Sequence, residues 1–387
     1  MFTAPQSNLR VIPYNPQLDG LRFCAVLFVL CYHWLPTIFS RETSFIFLGF
    51  INFFFVLSSY LITKILISSK EKAKSIGASK SKVLLFFLFR RCIRIFPAYY
   101  LYLFILLFLP VIGNEVNNNA FSYFAYLSNY QIYINQSWPE VTAHLWTLAV
   151  EEQFYIVWPL IIILLPEKYI FNTLIGIIIC SVLLRIISYT PPGAIPQAIL
   201  TQYCFDPFAI GGILALKYAD KKYDFHWITK YFKLFLYCSI FLAILSVFIK
   251  SYFFSFTINN LVFSIISYKL IEIAIFGYKG TLGRFLQHRY VLYLGKISYG
   301  IYLYHLLIPV LFWKLFNVAY SHFYYTHPSF FIANKKELKA FIDIISSSAS
   351  CFIVYFCLTV AVAMVSWNLV EKQFNKLKYL LLPAQKK

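Results

Sequence analysis

The sequence predicts an all-α polytopic membrane bundle of about ten transmembrane helices with both termini in the cytoplasm. Three observations predict it. The 387 residues are 60% hydrophobic and only 13% charged, whereas soluble domains carry about a quarter charged residues. The apolar residues come in long runs, of the length needed to cross a ~30 Å hydrocarbon core. The lysines and arginines gather in the segments between those runs, and mostly on one side of the implied bilayer. With the N-terminus inside, and cations near a span end counted with the adjoining segment, 25 of the 34 fall in inner segments, five in outer loops and four within spans.

In order along the chain, residues 1–17 are a polar, proline-bearing cytoplasmic lead. Residues 18–370 form the ten-span bundle, and 371–387 a basic cytoplasmic tail. Span 1 runs near 21–39 and span 2 near 45–66, joined by a tight turn at Arg41-Glu42. A Lys- and Ser-rich loop leads to span 3, near 86–112, which opens with Arg90, Arg91 and Arg94. After an Asn-rich loop come span 4 (145–165) and span 5 (169–189). The Pro191-Pro192-Gly193 turn precedes span 6 (198–216), and a loop with Lys221-Lys222 precedes span 7 (232–250). Spans 8, 9 and 10 are placed at 256–278, 291–316 and 340–367. No run reads as a linker to a second soluble domain, and no internal repeat is visible.

The net charge of +19 would suit nucleic acid. That partner is rejected, because these cations lie in loops where they set membrane orientation. The eight cysteines show no CxxC spacing and sit mostly inside apolar spans, as small hydrophobes do. No metal site is expected. The first apolar run lacks the basic lead and small-residue cleavage site of a signal peptide, so it reads as a retained span.

Chemistry concentrates first in Asp19–Trp34. Arg22 and His33 are eleven residues apart, about three helical turns and ~16 Å, and so share a helix face. An ionisable pair on one intramembrane face is a functional hypothesis. The spacing also leaves Arg22 free to snorkel and pair with Asp19 at i,i+3.

Depth is the second argument. At ~1.5 Å per residue, His33, Glu151, Asp206 and His305, from four different spans, all fall ~9–12 Å below the outer face of the core. Isolated charges in hydrocarbon are costly, so these groups should face a shared polar cavity. Glu152 follows Glu151 directly. A buried structural pair with a cation such as Arg185 is the alternative for both. For His305 and Asp206 a helix-packing contact stays open.

At the inner mouth of span 3, Arg91 and Arg94 share a face. Guanidinium donates two bonds at once to phosphate, while the same cluster would also anchor on lipid headgroups; spacing leaves both open. Glu371 would cap the inner end of span 10, and Lys269 and Glu272 would neutralise each other. Ser58 and Ser59 suit close helix packing; a serine nucleophile has no supporting pattern. The Asn135-Gln136-Ser137 sequon carries no weight.

Six segments together resemble the acyltransferase 3 family of integral-membrane O-acyltransferases. LDGLRFCAVLFVLCYH (18–33) resembles its opening arginine–histidine motif. GFINFFFVLSSYLIT (49–63) is similar to its second-span motif, with Ser59 where glycine is usual. FRRCIRIFPAYY (89–100) resembles its paired-arginine segment. LWTLAVEEQFYIVWPL (145–160) resembles its Glu-Glu motif, with Thr147 for serine. ISYGIYLYH (297–305) and SWNLVEKQF (366–374) are similar to the late motifs, the second with Gln373 where proline is common.

The resemblance implies an acyl-CoA donor, usually acetyl-CoA, used from the cytoplasmic side. It implies a carbohydrate hydroxyl acceptor in the cell envelope, such as O-antigen, exopolysaccharide or a lipid-linked sugar. It also implies a bacterial inner-membrane location and a stand-alone chain without the esterase-like domain that some members carry. His33 is then expected as general base, with a transient acyl-imidazole as the other chemical route. Glu151 would orient it or contact the acceptor, Arg91 and Arg94 would hold donor phosphates, and Arg22 would line the donor path. His305, Asp206 and Glu152 would support the site. Transfer of another acyl group, such as succinyl, is the nearest alternative. A transporter or flippase for a lipid-linked sugar is the alternative of a different class.

Overall fold

The computed structural model describes residues 14–36, 44–189, 193–219, 226–249 and 252–377. The expected turns at Arg41-Glu42 and Pro191-Pro192, the Lys221-Lys222 loop, most of the lead and most of the basic tail lie outside them. The described residues are helical throughout their regular structure. The elements that matter here are α1 (Pro16–Trp34), α2 (Ser44–Ser75), α3 (Lys80–Leu107), α4 (Leu145–Leu164), α5 (Glu167–Ile187), α6 (Phe205–Ala219), α7 (His226–Ile249), α8 (Asn259–Phe276), α9 (Arg289–Lys296), α10 (Ser298–Tyr304), α11 (Leu307–Thr326) and α12 (Ser348–Ser366).

The expectation of about ten transmembrane helices is corrected. Among the described residues five helices are long and apolar enough to cross a membrane: Gly49–Ser75, Leu145–Leu164, Glu167–Ile187, Asn259–Phe276 and Ser348–Lys376. A sixth results if α10 and α11, bent by 50° at a break, count as one span. The physical reasons are specific. Helix α1 carries Asp19 and Arg22 in its first turns and stops at Trp34, so its uncharged part is only ~18 Å long. Helix α3 ends at Leu107, leaving ~20 Å beyond Arg94. Helix α6 has 15 residues, or ~22 Å. Of the expected seventh span, 232–250, residue 250 and the side chains of residues 247 and 249 lie outside the described residues. The inference that both termini share a side rested on an even count of ten and lapses with it.

Helix α6 shows why a short apolar run is not a span. Its residues from Asp206 to Leu216 are all buried, as in a helix enclosed by protein on every side. It lies against α2, α5 and α8. A methyl group on Gly211 would overlap the Val56 carbonyl of α2, and Ser59 donates to the Phe208 carbonyl at 2.5 Å. Small residues that let backbones touch are what hold helices together in lipid. Phe154 of α4 stacks on Phe208 at 3.9 Å, and Trp158 donates to Thr63 at 2.7 Å. Outward faces carry exposed Ile156, Ile187, Phe241 and Leu369, the arrangement a lipid-facing surface requires.

Helix α1 is placed by its N-terminus. Asn15 caps it by accepting from the Gln17 N–H at 3.0 Å, with Pro16 at the first position, where no N–H is needed. Asn15 also donates to the Ala274 carbonyl at 2.7 Å, and Gln17 exchanges two hydrogen bonds with the Tyr278 backbone. A Cβ on Gly295 would overlap the Asp19 carbonyl, so α9 presses directly on the first turn of α1. Arg22 of α1 and Lys296 of α9 line the same cavity.

Candidate active site

A cavity of about 600 Å³ opens among α1, α2, α3, α4, the α9–α10 segment and the end of α12. It gathers five cations, Arg22, Arg91, Arg94, Lys296 and Lys372, and four carboxylates, Asp19, Glu151, Glu152 and Glu371. Only one pair of these, Arg22 with Asp19 at 2.5 Å, forms a salt bridge among the described residues. Arg22 is thus paired at i,i+3 and also lines the cavity. Tyr14 fixes the other Asp19 oxygen at 2.7 Å.

Two of the remaining cations lie over aromatic rings. Arg91 lies over the Phe87 ring at 5.4 Å and the Tyr155 ring at 5.3 Å. Lys296 lies over Trp367 at 5.2 Å. Arg94 and Lys372 have no hydrogen bond or salt bridge to another described residue. Cation–π contacts orient a guanidinium without neutralising it. The cavity thus offers positive charge to an anion.

The carboxylates are engaged otherwise. Glu151 accepts from Ser58 at 2.9 Å and from Tyr155 at 3.2 Å. Arg91 and Glu151 therefore meet on opposite parts of one tyrosine. Glu152 is 7% exposed, and its Oε1 has no partner among the described residues. Glu371 does not cap a helix end. It sits in a π-helical turn, Trp367–Glu371, that follows α12, and accepts from Ser366 at 3.3 Å. The extra residue of a π-turn redirects side chains; here Trp367, Glu371 and Lys372 all line the cavity.

His33 and His305 are brought together, with ring centroids 5.0 Å apart. Neither is among the residues that line the cavity, whereas Tyr302 is. Its ring lies 5.3 Å from His305. Its hydroxyl is 2.6 Å from the Thr147 hydroxyl and donates to the His144 carbonyl at 3.1 Å. His144, the residue before α4, stands 4.9 Å from His305. Three imidazoles from three chain segments thus form one cluster of tilted and edge-on rings.

Asp206 is elsewhere. It forms a bidentate pair with Arg185 at 2.7 and 2.8 Å, and both side chains are buried. Arg185 also donates to the carbonyls of Thr257 and Tyr203. Arg185 is therefore committed to Asp206, and is not the partner of Glu151 or Glu152. Lys269 and Glu272 do pair, at 2.7 Å, with Lys217 added at 2.8 Å. Among the described residues no group of His, Cys, Asp or Glu is placed to hold a metal ion.

The comparison with protein families decides the identity. A model described as "Acyltransferase domain" matches residues 15–368. The chain belongs to the acyltransferase 3 family. Within it, the peptidoglycan O-acetyltransferase OatA of Listeria monocytogenes is 33% identical over 46% of this chain and 30% of its own length. YrhL of Bacillus subtilis, provisionally named a peptidoglycan O-acetyltransferase, is 30% identical over 77% of this chain and 49% of its own. The O-acetyltransferase OatA of Staphylococcus aureus is 36% identical over 40% of this chain and 26% of its own. The chain thus spans half or less of these curated relatives. No solved structure matches.

The site of this acyltransferase 3 member contains groups that sequence reasoning missed. Lys296 beside the ISYGIYLYH segment, Lys372 within SWNLVEKQF and His144 just before LWTLAVEEQFYIVWPL are given no role by the sequence reading. Tyr155 and Tyr302 looked like two of 31 tyrosines. A signal existed for Lys296 and Tyr302, since they flank or lie within the ISYGIYLYH segment. None existed for His144.

Proposed function

We propose that the protein is a membrane O-acyltransferase that moves an acetyl group from cytoplasmic acetyl-CoA to a hydroxyl of a cell-envelope glycan. The observation that carries this is the cavity lined by Arg91, Arg94, Lys296 and Lys372, none of which forms a salt bridge among the described residues. Such charges suit the phosphates of a nucleotide thioester, which guanidinium groups bind by two hydrogen bonds at once. The basic loop before α3 marks this mouth as the cytoplasmic one. The relatives' names add peptidoglycan to the acceptor glycans that the resemblance implies. Their sources suit a bacterial plasma membrane.

In the reaction the acceptor oxygen attacks the thioester carbonyl carbon. His33 takes the hydroxyl proton as the C–O bond forms. The C–S bond breaks, and the CoA sulfur leaves with the proton returned from His33. Glu151, hydrogen-bonded to Ser58 and Tyr155, supplies negative charge that steadies the imidazolium or orients the acceptor. Arg22 lines the donor's path.

The test is transfer of labelled acetyl from acetyl-CoA to glycan by the purified protein in nanodiscs. His33→Ala is expected to lower turnover about 10²–10⁴-fold, the range for general acid–base catalysis. Undiminished turnover overturns the role of His33. Mass spectrometry of the glycan separates acetyl from succinyl by the added mass.

A further inference from the structure

Coenzyme A carries phosphate in two places. A diphosphate joins the ribose to the pantetheine arm, and a separate monoester sits on the ribose 3′ oxygen, at the end farthest from sulfur. A phosphate monoester holds about −1.5 to −2 charge near pH 7 and offers three acceptor oxygens. A thioester bound with its sulfur deepest in the cavity therefore leaves the 3′-phosphate outermost.

The cations of the cavity are graded in the same direction. Arg91 is half-buried and lies over the Tyr155 ring at 5.3 Å. The hydroxyl of that tyrosine donates to Glu151 at 3.2 Å, so Arg91 stands near Glu151. Lys296 and Lys372 line the same cavity and are exposed. Lys296 ends α9, the helix that presses on the first turn of α1. Lys372 directly follows the π-helical turn Trp367–Glu371. Lys296 lies over the Trp367 ring at 5.2 Å, which brings it to the turn that leads into Lys372. Glu371 in that turn is 3% exposed and accepts from Ser366 at 3.3 Å, so the exposed charge there belongs to Lys372. Neither lysine forms a salt bridge among the described residues. A lysine ammonium is a compact point charge with three donors on a flexible stem. It can follow a terminal phosphate without fixing its rotation.

We infer that Lys296 and Lys372 recognise the 3′-phosphate of the donor. The protein then selects a free coenzyme A thioester over one lacking that phosphate, including the phosphopantetheine thioester of a carrier protein. The inference rests on the reading of this cavity as the donor site. Arg91, deeper in, is left for the diphosphate.

The experiment measures binding of acetyl-CoA and of acetyl-3′-dephospho-CoA to the purified protein in phosphatidylcholine nanodiscs. Wild type is set beside Lys296→Gln, Lys372→Gln and the double variant. Wild type is expected to bind acetyl-CoA about tenfold or more tighter than the dephospho analogue, the worth of a charged hydrogen bond. Each single variant is expected to lose part of that preference, and the double variant to bind both donors within about twofold of each other. Affinity for the dephospho analogue should stay within about twofold of wild type throughout. Equal binding of the two donors by wild type overturns the inference, as does a preference that the double variant keeps. Exposed lysines also suit anionic lipid headgroups, and added phosphatidylglycerol separates the two sources of phosphate. A loss of preference seen in both lipids supports the inference. A defect that appears only with phosphatidylglycerol makes the lysines headgroup contacts and overturns it. If the double variant does not fold, competition on wild type decides. Stronger displacement of labelled acetyl-CoA by adenosine 3′,5′-bisphosphate than by adenosine 5′-phosphate supports the inference, and equal displacement overturns it. Acetyl-CoA bound with the expected preference but never transferred to glycan overturns the acyltransferase reading and leaves this inference standing.

Discussion

Two clusters of buried charge in this molecule differ in one respect. Around Arg185 each charge has its counter-charge: Asp206 takes two guanidinium bonds and two carbonyls take two more. Around the cavity the cations outnumber their ion pairs, with Arg91, Arg94, Lys296 and Lys372 lacking a salt bridge among the described residues. Both clusters lie among apolar helices, and burial alone does not separate them. Completeness of pairing does. A closed pair is a device for packing helices, because separating it strands a charge. An open set of cations facing a cavity has spare attraction for an anion.

The largest expected effect tests the closed pair. Asp206→Leu leaves the Arg185 guanidinium buried without its anion, and should destabilise the protein by about 3–5 kcal/mol. Chemical unfolding in detergent measures this. Turnover per folded molecule should stay unchanged. Replacing both partners, Arg185→Met with Asp206→Leu, should recover most of the loss, since well-packed apolar side chains can substitute for a buried pair. A fall in turnover with unchanged stability would put Asp206 back in the active site.

Next come the open cations. Arg91→Ala or Arg94→Ala should weaken acetyl-CoA binding by about 1.5–3 kcal/mol, the worth of a charged hydrogen bond, read as a dissociation constant raised about tenfold or more. The ligand-free variants should be no less stable than wild type, because one of several like charges is removed. Loss of stability in step with binding would make these arginines structural and erase the contrast.

The smallest effect lies between the two clusters. Glu272 accepts from Lys217, Lys269 and Tyr218, so Lys217→Gln leaves it two partners. A loss of about 1 kcal/mol or less is expected, as for a partly exposed ion pair.

The same contrast explains what was legible in the sequence. Arg22, Arg91, Arg94, Glu151 and Glu152 were readable because each sits in a local pattern, and all five line one cavity. Of the groups expected at one depth, His33 and His305 have rings 5.0 Å apart, whereas Asp206 pairs with Arg185; depth is one coordinate and the angle around the bundle is another. Lys296, Lys372 and His144 join the site through a glycine contact, a π-turn and a helix break, all of which depend on tertiary structure. The helix count failed for the same reason. An apolar run in α6 or across α10–α11 has the composition of a span, but nothing in composition marks where the backbone stops or bends.

Binding of labelled acetyl-CoA to the purified protein in nanodiscs tests the central contrast most directly, with wild type set beside Arg94→Gln and the Arg185→Met, Asp206→Leu pair. The expected result is equal binding by wild type and the doubly replaced protein, and about tenfold weaker binding by Arg94→Gln. Binding by Arg94→Gln as tight as wild type, or binding lost only when the Arg185 pair is replaced, would contradict it.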